Sequence, residues 1–116
     1  MKVIYIAGPF RAPTGWKVEQ NVRRAEECGF RVAQLGGMPL IPHTNTRFFN
    51  GELTDQFWLD GTLELLKRCD AVMLVDGWTS STGARGEFDY AQANGIPCFV
   101  SYTELEEWLS ESGQTA

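Results

Sequence analysis

The side chain in this sequence best placed to do chemistry is the carboxylate of Glu87. An apolar run, Ala71 to Val75, leads into Asp76-Gly77-Trp78-Thr79-Ser80-Ser81-Thr82-Gly83-Ala84-Arg85-Gly86, a polar, glycine-bearing turn that delivers Glu87 to a helix start. The hydroxyls from Thr79 to Thr82, with the backbone N–H groups of the helix start beside Gly83, suit an anion or a sugar. The same residues also make an ordinary helix cap. In a first helical turn the dipole favours an ionised Glu87, and an unprotonated carboxylate facing an anomeric carbon is what a retaining glycosidic reaction needs. The plainer reading is a glutamate that only stabilises its own helix. Asp76 belongs on the ligand side of the preceding strand, and Asp70 at its opposite end.

A second polar stretch follows the first apolar segment: Gly8-Pro9-Phe10-Arg11. It lacks the Gly-x-Gly-x-x-Gly fingerprint and the Walker Gly-Lys-Ser/Thr, so neither a dinucleotide nor a P-loop triphosphate is indicated. Gly8 allows close backbone approach and Arg11 can pair bidentately with a phosphate. A tight turn plus a surface arginine fits the residues equally well. The single histidine, His43, would have to serve any Ser-His-Asp triad. Cys28, Cys69 and Cys98 are far apart with no Cys-x-x-Cys pair, so the sequence indicates no disulfide framework, no metal site and no cofactor.

Positioning these residues is the task of a repeated strand–helix pattern. Strands are expected at Val3 to Ala7, Met38 to Ile41, Ala71 to Val75 and Ile96 to Val100. A helix from Trp16 to Leu35 turns Val18, Val22, Ala25, Gly29 and Val32 inward, and Gly36-Gly37 ends it. His43 to Glu52 reads as a loop without periodicity, long enough to cover a site. Leu53 to Arg68 reads as a helix with Phe57, Leu63 and Leu66 toward the core, and the Glu87 helix stops at Gly95. A last helix, Thr103 to Ser110, is capped by Thr103. Residues 113–116 read as a frayed tail. The pattern predicts a single-domain α/β fold over residues 1–116: a three-layer sandwich on a parallel sheet of four or five strands, Rossmann/flavodoxin-like, in order 2-1-3-4. The loops after strands one and three then face each other across one crevice, the expected ligand site.

Composition sets limits on partners. A formal net charge of -5 argues against binding a nucleic-acid polymer, which depends on neutralising phosphates. No apolar run approaches the ~20 residues of a membrane span, and the N-terminal segment is too short in its apolar part for a signal peptide. A cytoplasmic protein without membrane contact is expected.

Taken together, these residues resemble the nucleoside 2-deoxyribosyltransferase-like superfamily, including its deoxynucleoside 5′-monophosphate N-glycosidase branch. The resemblance spans roughly residues 3 to 100. It is carried by Tyr5-Ile6-Ala7-Gly8-Pro9, by Cys69-Asp70-Ala71-Val72-Met73-Leu74 with Gly77-Trp78, by Ser81-Thr82-Gly83-Ala84-Arg85-Gly86-Glu87, and by Ala91 with Gly95-Ile96-Pro97. It implies that Glu87 attacks C1′ of a deoxyribosyl group and that Tyr5 orients it by a hydrogen bond. It further implies a substrate crevice formed by Gly8, Pro9, Phe10, Arg11, Asp60, Asp76, Gly77, Trp78, Ser81 and Gly83, with no metal. Ser81, six positions before the nucleophile, and Arg11, three after the first-loop glycine, match the monophosphate branch, while Pro9 stands where that branch has a serine. Relatives carry an Asp eight residues before the one that opens strand three; here that position is Thr62, and Asp60 lies two residues earlier. The implied activity is cleavage of the base–sugar bond of a nucleoside or nucleoside 5′-monophosphate by a homo-oligomer. The alternative is a nucleotide-binding or sensor domain of the same fold that does not cleave.

Overall fold

A computed structural model of the chain describes residues 1–49 and 51–112; the expected tail at 113–116 lies outside them. Four strands, β1 (Val3–Ala7), β2 (Met38–Leu40), β3 (Ala71–Leu74) and β4 (Cys98–Phe99), form an all-parallel sheet in the order β2-β1-β3-β4. The expected topology is therefore the observed one, with four strands among the described residues. The helices are α1 (Gly15–Gln34), α2 (Pro42–Asn45), α3 (Asp55–Lys67), α4 (Thr82–Ala93) and α5 (Tyr102–Glu111).

Alternation along the central strands sorts side chains into two cores. Ile4 and Ile6 of β1 and Ala71 and Met73 of β3 pack with Ala25, Cys28 and Val32 of α1 and with Leu105 and Leu109 of α5. Tyr5, Ala7, Val72 and Leu74 face the other way, onto Leu66 of α3 and Ala91 of α4. Central parallel strands are covered on both sides, which is why these segments read as unbroken apolar runs. At the amino end of the strands, Val3 and Asp70 form a closed pair: the Val3 N–H donates to Asp70 Oδ2 at 2.8 Å, and the Asp70 N–H donates to the Val3 carbonyl at 2.8 Å.

Several local expectations need correction. The segment after β2 is partly helical: Pro42 opens α2, where its missing N–H costs nothing, and Arg47–Phe49 form a 3-10 turn. On α1 the inner face includes Asn21 and Cys28, whereas Val18 is only partly buried. Phe57 of α3 is 53% exposed, because only the carboxyl-terminal part of this helix lies over the sheet, where Leu66 is buried and Leu63 half-buried. The cap of α5 is Ser101, which accepts from the Glu104 N–H at 3.3 Å, in place of Thr103. No described helix is long and apolar enough to cross a membrane.

Candidate active site

The carboxyl ends of β1 and β3 lie side by side, where the chain leaves toward opposite edges of the sheet. The Val75 N–H donates to the Ala7 carbonyl at 2.8 Å, so the two strands stay paired up to their loops. Beyond this point the loops touch. A Cβ at Gly8 would come within 2.7 Å of Val75 Cβ, so only glycine lets the first loop lie this close to β3. Gly77 takes φ +91, the left-handed region, and faces the Pro9 ring. A 3-10 turn, Trp78–Ser80, follows, with Trp78 stacked against Phe88 of α4 at 4.9 Å. This is the switch-point crevice in which α/β proteins of this kind hold ligands.

Ser81 starts α4. Its hydroxyl accepts from the Ala84 N–H at 3.2 Å, satisfying one of the free donors of the helix start. With Ser81 as cap, Glu87 is the sixth residue of α4 and stands in its second turn, not its first. The helix dipole acts mainly within the first turn, so it does not hold Glu87 ionised as its expected position implied.

What acts on Glu87 is burial and one hydrogen bond. The Tyr5 hydroxyl donates to Glu87 Oε2 across the core between β1 and α4. Tyr5 is fully enclosed and Glu87 half-buried. Desolvation raises the Glu87 pKa from its ordinary value to about 7, and the Tyr5 hydrogen bond opposes that rise. The Tyr5 phenol is pushed far above its ordinary range by burial, then by the Glu87 charge beside it, while the neighbouring Thr62 hydroxyl acts in the opposite direction. Tyr5 is thus a permanent donor. Glu87 is a carboxyl group poised between its two forms near neutral pH, suited to act as nucleophile, base or acid.

The other expected residues are placed as follows. Thr62, not Asp60, comes to the Tyr5–Glu87 pair. Asp60 is exposed and accepts from Gln56 Nε2 at 2.7 Å on its own helix, pointing away from the pair because it lies roughly 200° around α3 from Thr62. Arg11 is exposed and reaches Asp55 at the start of α3 at 3.4 Å. Asp76 and Gly83 are exposed at the crevice loops, and Pro9 and Phe10 are partly buried. Among the described residues no His/Cys/Asp/Glu group has the makings of a metal site, and the three cysteines are free, Cys28 and Cys69 buried and Cys98 half-buried.

Two residues of this region were not singled out as ligand-site groups by the sequence. His43 is buried, with Nε2 at 3.1 Å from the Gly8 carbonyl and 3.0 Å from that of Pro9, and its ring meets Phe10 edge-on at 5.7 Å. Asn21, also buried, donates from Nδ2 to the Phe10 carbonyl at 3.1 Å and accepts from Arg24 at 2.9 Å. The available signal was Asn21 itself, a polar residue in register with Ala25, Cys28 and Val32 on the inward face of α1.

Among curated proteins none matches this chain. Residues 2–101 match the family described as Domain of unknown function (DUF7768), which covers both crevice loops, Tyr5 and Glu87, and the chain belongs to that family.

Proposed function

We propose that this protein is an N-glycosidase or 2-deoxyribosyltransferase that cleaves the base–sugar bond of nucleosides or nucleoside 5′-monophosphates through a covalent intermediate on Glu87. The observation that carries this reading is the Tyr5–Glu87 pair: a half-buried carboxyl, hydrogen-bonded by an un-ionisable phenol, beside a crevice at the switch point of the sheet. In the first step the ionised carboxylate attacks C1′. The C1′–N bond breaks, its electron pair leaves with the base, and the base takes a proton from water. In the second step water, or the nitrogen of another base, attacks C1′, the C1′–O bond to Glu87 breaks with its electron pair returning to the carboxylate, and the proton of the attacking group passes to solvent. The Tyr5 hydroxyl fixes which Glu87 oxygen is free to attack, and burial keeps that oxygen thinly solvated.

The test is chromatographic. Glu87→Gln keeps the size of the side chain and removes the nucleophile, so free-base release from deoxynucleoside monophosphates should vanish. Unchanged turnover in the variant sinks the reading. Mass spectrometry of quenched wild-type enzyme should also show a deoxyribosyl adduct on Glu87.

A second reading has its own support. Thr62 occupies the place where the resemblance implies an acid that helps the base depart, and a hydroxyl protonates a leaving base poorly. A nucleotide-binding domain that holds its ligand without cleavage would raise the melting temperature in the presence of monophosphate while releasing no base.

A further inference from the structure

The first loop is held in an unusual way. The carbonyls of Gly8, Pro9 and Phe10 are consecutive, and all of them are drawn toward buried side chains: those of Gly8 and Pro9 to His43 Nε2, that of Phe10 to Asn21 Nδ2. Carbonyl oxygens only accept, so Nε2 carries the hydrogen and Nδ1 bears the lone pair. Among the described residues that Nδ1 is buried without a partner. An unmet buried acceptor opposes folding, so what the ring contributes here is the donor on its other nitrogen.

Peptide planarity makes the consequence geometric. In a trans peptide the N–H points opposite to the preceding carbonyl. With the Pro9 carbonyl turned to His43 and the Phe10 carbonyl to Asn21, the Phe10 N–H turns away from α2 and the Arg11 N–H away from α1. Neither meets an acceptor among the described residues. Successive outward N–H groups form a concavity that favours anions, and here the Arg11 side chain springs from the same backbone.

We propose that His43 and Asn21 are positioning residues that hold the first loop with its carbonyls inward, so that the Phe10 and Arg11 N–H groups receive the anionic group of the substrate. This rests on the nucleotide reading of the crevice and adds to it the origin of any preference for a 5′-monophosphate over a nucleoside. Such a preference belongs to the backbone, set by two side chains that never touch the ligand. Pro9 has no N–H, so of these three peptides only those ending in Phe10 and Arg11 present a donor.

Two measurements test this. In the wild-type protein, titration with inorganic phosphate followed by 15N-resolved NMR should move the Phe10 and Arg11 amide resonances together; saturation that leaves both unmoved overturns the proposal. Calorimetry then compares a deoxynucleoside with its 5′-monophosphate in three variants. His43→Phe keeps an aromatic ring without the donor. Asn21→Asp keeps the Arg24 contact and sets an acceptor against the Phe10 carbonyl. Both should weaken monophosphate binding about tenfold or more, with less than twofold change for the nucleoside, and His43→Gln, which restores a donor, should recover most of the loss. Equal weakening of both ligands, or of neither, overturns it, as does a wild-type protein that does not distinguish them. Should His43→Phe fail to fold, Asn21→Asp and the amide titration still decide. Base release is read separately: a protein that binds monophosphate through these amides yet frees no base refutes the glycosidase and keeps this inference. One that cleaves nucleoside and monophosphate with equal KM does the reverse.

Discussion

Two tyrosines on opposite sides of the sheet are used differently. On the α3–α4 side Tyr5 is wholly enclosed and donates to Glu87. On the α1–α5 side Tyr102 is half-exposed, its ring 4.8 Å from the Arg31 guanidinium and its hydroxyl within reach of the Cys28 thiol. Burial raises the pKa of both phenols, but only Tyr5 stands against a group that titrates near neutral pH. Tyr102 meets packing needs with soft, neutral or solvent-sharing partners. Tyr5 and Glu87 instead keep an ionisable pair in a desolvated place, and titratable groups perturbed in this way concentrate at functional sites.

The contrast can be broken most directly at Glu87. Glu87→Gln should reduce base release by roughly a thousandfold or more, the scale of losing a nucleophile, measured by chromatography of the products. The next largest effect falls on the opposite side. Ile6→Ala should destabilise the protein by about 2–5 kcal/mol in thermal unfolding, while base release per folded molecule holds steady; a proportionate loss of turnover would mean the two cores are not functionally separate.

Linkage sharpens the comparison further. The folded pKa of Glu87 is raised to about 7 from 4.5, so its contribution to stability is fully present below pH 4.5 and is lost as pH rises through 7. Relative to Glu87→Gln, the wild type should therefore lose about 3 kcal/mol between these limits, read from melting temperatures of both proteins across pH. Parallel curves would contradict the raised pKa. Tyr5→Phe removes the one hydrogen bond that opposes this rise, so the alkaline-rising limb of the pH–rate profile should move upward and turnover near neutrality fall about 10- to 100-fold. The smallest change belongs to Tyr102→Phe, at most about 1 kcal/mol in stability, with an unaltered pH–rate profile.

Much of this arrangement is legible in the amino-acid sequence. The parallel order and the meeting of the two loops followed from apolar runs separated by helical periodicity, because buried central strands leave little freedom in that pattern. The Tyr5–Glu87 pairing was implied by the resemblance of the motifs and is present in the structure. What escaped was set by tertiary context. The role of Ser81 as cap moved Glu87 one turn deeper and reversed the expected sense of its titration. The difference between Asp60 and Thr62 became decisive only once α3 had a fixed rotation over the sheet. Contacts such as His43 to Gly8 link residues 35 apart in sequence and leave no periodic signature; only the polar Asn21 on an apolar face hinted at them.

The Val3–Asp70 pair lies at the end of the sheet remote from the crevice, yet it belongs to the same β1–β3 register on which the crevice depends. Side chains alternate along β1, so a slip of one residue against β3 would exchange the faces of the strand and set an isoleucine beneath Glu87 in place of the phenol. The Asp70 carboxylate, which sequence position alone marks as far from any ligand, thus adds an end-stop to the ladder that sets the height of Tyr5. Substitutions there should be felt as lost alignment of a proton donor rather than as a lost contact.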